Sequence, residues 1–305
     1  MSVNLVIAVT DNNWFEYLSH RTGLAEVNFW TPSNTRFKAL KQGELFLFKL
    51  HSPLNFIVGG GIFAHETLMP CSMAWDFFGE ANGAASFHEM RSMIARYRRE
   101  PLDKQNDFQI GCRVLTQPFF LPENQWIQVP QSWSPNIVKF KKYSTEDSEG
   151  LELWKKLSRE LAMVHPDEKA PAERLGKPQI IRPRLGQGAF RSEVVDAYGR
   201  RCAVTRERTL PALDAAHIRP YSEGGKHEVS NGLLLRRDIH SLFDLGYVTV
   251  TPDLRFEVSR KIREQFENGR NYYSLHGSKV YVPEKPLPTP ETEILEWHNE
   301  NRFLD

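Results

Sequence analysis

Four side chains between residues 213 and 246 have the types and the spacing that hydrolysis of a phosphate ester needs. His217 ends a short apolar segment, Asn231 follows fourteen residues later, and His240 nine residues after that. Asp244 lies four residues beyond His240, so on a helix these two side chains share one face. An imidazole that titrates near neutrality can take a proton from water. An imidazole and a carboxylate one helical turn apart can hold a divalent cation and leave coordination sites open for water and phosphate.

The segment 213–246 resembles the ββα-metal motif of HNH endonucleases. The resemblance implies that His217 is the general base and that Asn231 ties the loop between the two strands, which orients the base. It also implies that His240 is a metal ligand, with Asp244 as a second one. With so few protein ligands, the expected ion is Mg²⁺ or Mn²⁺, whose coordination shell phosphate oxygens can complete. Taken singly, each residue could instead have a structural role, as a turn asparagine or a core histidine.

One position departs from the family pattern. Many HNH enzymes have a metal-binding Asp or His directly before the base, where this chain has Ala216. Because side chains alternate along a strand, Asp214 shares a face with Ala216 and could supply the missing carboxylate. Asp238 is the other candidate, although it could instead cap the following helix. Asp214 is therefore counted with His240 and Asp244 as a candidate metal residue, and the choice between Asp214 and Asp238 stays open at this point.

Further residues near the motif are candidates for DNA contact. Arg191 could bind phosphate or pair with Glu193, and we expect Arg237 and His227 to lie near the DNA as well. A Cys-x-x-Cys pair often begins a structural zinc site in HNH proteins. Here Cys202 is followed three residues later by a threonine and by no other cysteine, which excludes a four-cysteine zinc site.

Composition limits the class of protein and the way it can find DNA. A net charge of +1 over 305 residues provides no overall attraction to nucleic acid, so a DNA-binding surface must be a local basic patch. Three cysteines far apart argue against a disulfide framework and indicate a reducing compartment. The sequence shows neither a membrane-spanning apolar run nor a signal-peptide pattern, so we expect a cytoplasmic protein.

The first 130 residues predict a mixed, β-rich domain with a curved sheet. Apolar runs predict six strands, at 3–9, 26–31, 45–50, 55–63, 108–116 and 125–129. The pattern between the fourth and fifth strands predicts one long helix at 72–99. Three consecutive glycines, 59–61, predict a bulge or a close backbone approach. The segments 37–50 and 57–63 resemble PUA-like domains, the superfamily of the EVE and SRA readers of modified bases. That resemblance implies that the glycine-bearing strand lies beside a ligand pocket.

Aromatic and polar neighbours suggest what such a pocket would bind. Asn28 lies two residues from Trp30, and Trp75 precedes Asp76. Rings that stack and polar groups that read a base edge are what recognition of a flipped base requires. These four residues are therefore the predicted base-reading pocket, unless the rings only fill the core. The basic runs 91–99, with nearby Lys104, and 139–143 could follow a phosphate backbone or be solvated surface.

The predicted organisation is α+β, with an N-terminal PUA-like curved β-sheet domain with helices at 1–130 and a C-terminal ββα-metal HNH domain with flanking helices at 184–305. Between them, 131–183 is predicted to be a proline-rich linker with one helix at 150–164. In the C-terminal domain we expect a helix that ends at Gly199, a strand at 247–250 and helices at 260–267 and 290–299.

The expected function is a metal-dependent endonuclease of the restriction type that cuts double-stranded DNA carrying a modified base. Because one HNH site cleaves one strand, we expect a homodimer for double-strand cutting. Two alternatives remain open at this point. The chain could be a DNA or RNA reader with an inactive, structural HNH fold, or a nuclease for RNA or unmodified DNA.

Overall fold

A computed structural model describes residues 2–98, 107–164, 178, 180, 185–284 and 286–305. It divides into two compact units, Met1–Gly186 and Gln187–Asp305, and its class is α+β, as predicted. The predictions for Lys104 and for the prolines at 166, 171 and 183 lie outside the described residues. None of the helices in the described ranges is both long enough and apolar enough to cross a membrane.

The first unit is built on one seven-stranded sheet. Its strands are β1 Asn4–Thr10, β2 Glu26–Thr31, β3 Leu45–Leu50, β4 Phe56–Pro70, β5 Gln109–Phe120, β6 Ile127–Gln128 and β7 Phe140–Ser144. Its helices are α1 Asn12–Ser19, α2 Cys71–Phe78, α3 Phe87–Tyr97 and α4 Ser148–Val164. The strand order is β2-β5-β4-β3-β1-β7, with β6 also paired to β4. Only β1 and β3 run parallel, and the other pairs are antiparallel.

Both faces of the central strands are covered, which explains their unbroken apolar sequence. All six residues of β3 are buried. On one face, Leu5, Ile7 and Leu47 pack in a common core with Trp154 and Leu157 of α4. The predicted linker 131–183 is therefore in part a folded piece of this unit, because β7 pairs with β1 and α4 covers the sheet. The amphipathic pattern of α4 marked a helix, but the sequence alone did not show that the sheet had an open face for it.

The three glycines of β4 serve the sheet itself. A Cβ atom on Gly59 would lie 2.4 Å from the carbonyl oxygen of Phe119, and one on Gly60 would lie 2.6 Å from that of Phe46. The pairing of β4 with β5 shifts register between Gly60 and Ile62, which marks a bulge. The predicted bulge with close backbone approach is confirmed. Neighbouring strands occupy the space that a Cβ atom on these glycines would need, and the ligand pocket beside this strand stays a prediction.

The predicted helix 72–99 is two helices. Gly79 ends α2 with φ +48°, and a short 3₁₀ turn, Gly79–Asn82, leads to Gly83 with φ +78°. A Cβ atom on Gly83 would lie 2.2 Å from the ring of Trp14, so this position must be glycine. Ser86 then begins α3 by accepting a hydrogen bond from the backbone N–H of Glu89. The helical spacing of apolar residues continues through this turn, so the sequence pattern did not show that the helix is interrupted.

The second unit holds the ββα arrangement. Its strands are β8 Leu213–His217, β9 Gly232–Arg236, β10 Val248–Val250 and β11 Phe256–Val258. Its helices are α5 Gln187–Ala197, α6 Arg237–Asp244, α7 Lys261–Phe266, α8 Arg270–Tyr273 and α9 Thr292–Asn301. β8 and β9 pair antiparallel, with His217 opposite Gly232, and α6 follows β9 directly. Gly199, with φ +59°, lies just after α5, near the predicted helix end.

Burial fixes the orientation of α6. Ile239 and Phe243, four residues apart, are 0% and 1% exposed and face the core. His240 and Asp244 follow them by one residue each, so they lie on the adjacent face, at its edge. Gly246 stops the helix with φ +77°, and a Cβ atom there would lie 2.0 Å from the carbonyl oxygen of Arg302. The helix is therefore short and presents one imidazole and one carboxylate.

Candidate active site

The strand β8 and the helix α6 line one cavity of about 530 Å³ in the second unit. Asp214 and His217 reach it from β8, and His240 and Asp244 reach it from α6. The structure therefore brings together the predicted base and all three predicted metal residues. The catalytic and metal-binding roles of these residues remain predictions.

His240 is held between two carboxylates. Its Nδ1 lies 3.2 Å from Asp214 Oδ2, and its Nε2 lies 3.3 Å from Asp244 Oδ2. Burial alone would lower the pKa of His240, but the hydrogen bonds to both carboxylates outweigh it and raise the pKa to about 9. In this arrangement the imidazole is a cation at neutral pH, and the site accommodates positive charge.

Asp214 is strongly stabilised as a carboxylate. Its Oδ1 accepts a hydrogen bond of 2.9 Å from the guanidinium of Arg191, on α5. Burial would raise the pKa of Asp214, yet the hydrogen bond from His240 and the charge of Arg191 lower it to about 2. Arg191, predicted to contact phosphate or to pair with Glu193, thus lines the cavity and pairs with this carboxylate.

Asp238, the other candidate for the ligand that Ala216 lacks, has its own partners outside the cavity. Its carboxylate pairs with Arg236 at 3.0 Å and accepts a hydrogen bond from the hydroxyl of Tyr272 at 3.2 Å. It is not among the residues that line the cavity. Asp214 is, and of the two candidates for the missing carboxylate it is the one that contacts His240.

His217, the last residue of β8, is held on two sides. Its ring stacks on Phe190 of α5, with centroids 3.8 Å apart and planes inclined by 13°. Its Nε2 lies 3.0 Å from Nδ1 of His227. Burial, followed by the nearby charges of His227 and His240, lowers the pKa of His217 to about 4. The ring is therefore neutral at pH 7 and can accept a proton.

Asn231 organises the loop between β8 and β9. It is 1% exposed, and its Oδ1 accepts a hydrogen bond of 2.9 Å from the backbone N–H of Arg219. Its Nδ2 donates to the carbonyl oxygens of Arg219 and Lys226, both at 2.9 Å. Gly225 lies inside this loop, where a Cβ atom would be 1.9 Å from the carbonyl oxygen of Arg219. A side-chain amide is needed here because the loop has no strand partner for these backbone groups.

The other two residues predicted to bind DNA have different surroundings. Arg237 is exposed at the first position of α6 and does not line the cavity. His227 is half-buried against His217, and its ring stacks on Tyr221, with centroids 4.6 Å apart. Sequence reasoning missed Phe190 as the stacking partner of the predicted base, because no spacing connects α5 to a strand more than twenty residues later. It also missed the stacking of Tyr221 on His227.

Cys202 and Thr205 occupy the positions where many HNH proteins begin a zinc site, which the sequence excluded here, and they contact each other. Cys202 is fully buried, and its sulfur accepts a hydrogen bond from the backbone N–H of Thr205 at 3.5 Å. Among the described residues, no group of three or more histidine, cysteine or acidic side chains is arranged to hold a metal ion.

The first unit has its own cavity, of about 630 Å³. Aromatic and basic side chains line much of it, among them Trp30, Phe37, Tyr97, Phe140, Arg113 and Lys139. Lys139 and Phe140 belong to the basic run 139–143. The guanidinium of Arg113 lies 5.3 Å from the centre of the Phe37 ring, and its Nη2 donates to the carbonyl oxygen of Thr35 at 3.3 Å.

Of the four residues predicted to form the base-reading pocket, only Trp30 lines this cavity. Asn28 is fully buried, and its Nδ2 donates to Asn82 Oδ1 at 2.9 Å, so it belongs to the core. Trp75 is half-buried on α2, and Asp76 beside it is exposed. The four residues therefore do not share one pocket.

Comparison with known sequences gives one match within this chain. Residues 202–251 match the HNH_2 family, described as HNH endonuclease. This range contains β8, β9 and α6, and with them Asp214, His217, His240 and Asp244. The chain therefore carries an HNH endonuclease domain, and the predicted resemblance is confirmed. A search of curated proteins finds no match.

Three solved structures show distant similarity. The ASCH protein from Zymomonas mobilis is 9% identical with a TM-score of 0.34, and the alignment covers 51% of this chain and 94% of that chain. A modification-dependent restriction endonuclease, TagI, is 13% identical with a TM-score of 0.28, covering 96% and 80%. The type IV phosphorothioation-dependent restriction endonuclease ScoMcrA is 10% identical with a TM-score of 0.19, covering 78% and 46%.

Proposed function

We propose that this chain is a metal-dependent endonuclease that hydrolyses phosphodiester bonds of double-stranded DNA, with His217 as its general base. The observation that carries the proposal is that His217 shares one cavity with Asp214, His240 and Asp244, inside the segment that matches HNH endonucleases. Asn231 supports the base by fixing the loop that begins directly after it.

The residues present suit Mg²⁺ or Mn²⁺. The two carboxylates that flank His240 already stabilise positive charge on its ring. After His240 loses its extra proton, Asp214, His240 and Asp244 would hold the metal ion instead. One nitrogen of His240 and the carboxylate beside it would bind the ion directly, and the other carboxylate would accept the remaining N–H and hold the ring in place. An ion held by these residues would supply positive charge against the charge that develops on the phosphate.

His217 activates the water. Its neutral imidazole takes a proton from a water molecule as the water oxygen attacks phosphorus. The bond between phosphorus and the leaving sugar oxygen breaks, and that oxygen takes a proton from solvent. The pKa of His217, about 4 in the free protein, rises when a negatively charged phosphate enters the cavity. The base thus strengthens where the substrate is bound.

The first unit selects the target, by taking a flipped, modified base into the cavity lined by Trp30 and Phe37. Its aromatic rings offer faces for stacking, and Arg113 offers a donor to acceptor atoms on the base. Lys139 contributes positive charge for a phosphate of the flipped nucleotide. In the second unit, Arg237 is exposed and suits backbone contact.

A second copy of the chain completes double-strand cleavage, because a single site of this kind cuts one strand. A cytoplasmic location remains part of the same proposal. The alternative is a reader of DNA or RNA with an inactive HNH domain. The stacked, neutral His217 beside three metal-type residues favours the enzyme, since a purely structural domain does not need these groups in one cavity.

Plasmid cleavage tests the proposal. The full chain is incubated with plasmids that carry modified cytosine or adenine and with an unmodified plasmid, each with Mg²⁺ and with chelator. We expect nicked and linear products only with Mg²⁺, and faster on one modified plasmid. Cleavage in chelator would contradict metal dependence, and equal rates on all plasmids would contradict selection of a modified base.

A further inference from the structure

His227 forms a hydrogen bond with His217, the predicted base, and this bond limits which ring nitrogens can carry a hydrogen. His217 Nε2 and His227 Nδ1 are 3.0 Å apart, which is a hydrogen bond. Burial lowers the pKa of both rings, so both are neutral at pH 7. Between two neutral imidazoles, one nitrogen must carry the hydrogen and the other must present its lone pair. The hydrogen between the two rings can therefore be carried by either histidine, and the two cases differ in whether Nδ1 of His217 also carries a hydrogen.

Only one arrangement leaves His217 able to act as a base. If His217 Nε2 carries the hydrogen and donates it to His227, then His217 Nδ1 has a free lone pair. If His227 Nδ1 carries the hydrogen, His217 must be protonated at Nδ1 to stay neutral, and both of its nitrogens are occupied. The partner of Nε2 thus decides whether Nδ1 can take a proton from water.

The positions of the two rings point to the first arrangement. His217 lines the cavity together with Asp214, His240 and Asp244, whereas His227 is not among the residues that line it. Because Nε2 of His217 is paired with His227, Nδ1 is the ring nitrogen of His217 that is left to meet a water molecule in the cavity. The ring of His227 is itself fixed, by stacking on Tyr221 with planes inclined by 8°.

We propose that His227 is a positioning residue that accepts the Nε2–H of His217, which keeps Nδ1 of His217 free to act as the base. The inference rests on the proposed function of His217. When Nδ1 takes a proton from water, His217 becomes an imidazolium with a hydrogen on each nitrogen. The hydrogen bond to Nδ1 of His227 then becomes charge-assisted and stabilises that cation. His227 acts through His217 and needs no contact with the DNA.

Two amide substitutions separate this role from simple packing. In His227→Asn, the side-chain oxygen can take the place of Nδ1 and still accept the hydrogen bond. In His227→Gln, the amide reaches the position of Nε2 instead and lacks an acceptor at the right point. Lys226→Ala changes the exposed neighbour in the same loop and serves as a control for loss of a loop cation.

The tautomer of His217 is the first measurement. Long-range ¹H–¹⁵N spectra of the full chain, labelled with ¹⁵N-histidine and free of metal at pH 7, show which ring nitrogen carries hydrogen. We expect His217 protonated at Nε2 in the unaltered protein and in His227→Asn, and a mixture of tautomers in His227→Gln. Protonation at Nδ1 in the unaltered protein, or an unchanged tautomer in His227→Gln, would overturn the proposal.

The cleavage rate is the second measurement. We expect His227→Gln to lower kcat by about 10-fold to 100-fold with little change in KM, as for loss of a group that orients a catalytic residue. His227→Asn recovers most of that loss, and Lys226→Ala leaves kcat unchanged. A change in KM alone would make His227 a DNA contact, and a faster His227→Gln would make it an occluding group. Either result overturns the proposal. Tautomers as expected in a protein that cuts no DNA would support this pairing while contradicting the proposed nuclease.

Discussion

At the scale of single residues, His240 connects the geometry of the site to its chemistry. One ring nitrogen contacts Asp214 and the other contacts Asp244, so neither carboxylate can be removed without changing how the ring is held. Asp238, on the same helix, pairs with Arg236 instead and provides a matched control. If the ion binds at His240, the three carboxylates should differ in their effect on metal affinity.

We therefore expect His240→Ala, Asp214→Asn and Asp244→Asn each to raise the Mg²⁺ concentration for half-maximal cleavage, by about 10-fold or more. Asp238→Asn should leave it unchanged. Cleavage rates measured across a Mg²⁺ titration give the comparison. An unchanged midpoint in all three variants would show that the ion binds elsewhere, and a shift in Asp238→Asn alone would restore Asp238 as the ligand that Ala216 lacks.

At the scale of secondary-structure elements, a buried histidine on α9, His298, joins that helix to two elements of the second unit. His298 of α9 is 2% exposed and stacks on Phe243 of α6, with ring centroids 3.7 Å apart. Its Nε2–H must donate to the carbonyl oxygen of Phe243, at 3.2 Å, so its Nδ1 accepts from the hydroxyl of Thr249 at 2.8 Å. Helix α9 is thereby tied to both α6 and β10.

Acid should weaken this attachment. Burial lowers the pKa of His298 to about 4, a shift that the carbonyl of Phe243 and the charge of Asp244 only partly oppose and that the charge of Arg302 reinforces. Because the folded pKa is below the unfolded value near 6.5, the stabilisation is complete above pH 6.5 and is lost as pH falls toward 4. We expect about 2–3 kcal/mol from this group over that window.

The comparison with His298→Gln isolates that contribution. Glutamine can keep the donation to Phe243 but does not titrate, so its unfolding midpoint should fall less steeply between pH 6.5 and pH 4. The measurement is thermal unfolding of both proteins at a series of pH values. Parallel curves for the two proteins would show that His298 is not the group that titrates.

Sequence patterns predicted the elements better than the contacts between them. The order and spacing of His217, Asn231 and His240 predicted one site because the residues lie on adjoining elements of one short unit. The His217–His227 hydrogen bond could not be predicted, since it depends on a loop whose path is set by the buried amide of Asn231. In the first unit, α4 was predicted as a helix, but its place against the sheet depends on pairing between residues more than 130 positions apart.

At the scale of the whole molecule, the near-neutral net charge limits non-specific attraction to DNA. A net charge of +1 gives little non-specific attraction, so specificity has to come from a particular cavity. The cavity lined by Trp30 provides stacking faces, whereas Trp75 lies outside it. The two tryptophans are in the same unit and therefore form a matched pair for a binding test.

We expect Trp30→Ala to weaken binding of the full chain to a duplex with the preferred modified base by about 1–3 kcal/mol, the usual range for loss of a stacking ring. Trp75→Ala should bind as the unaltered protein does. Affinities are measured in chelator, alongside thermal unfolding, because Trp30 also donates to the carbonyl oxygen of Asn82 and contributes to stability. Equal losses in the two folded variants would remove the assignment of this cavity as the reader.

Cleavage by His217→Ala tests the central claim most directly. The variant lacks the imidazole that takes the proton from water, while Asp214, His240 and Asp244 keep their contacts with one another. We measure single-turnover cleavage of the preferred plasmid at saturating Mg²⁺, with DNA affinity and unfolding temperature as controls. The account predicts a rate lower by about 100-fold or more, with unchanged affinity and folding. Cleavage at the unaltered rate by a folded His217→Ala protein would contradict it.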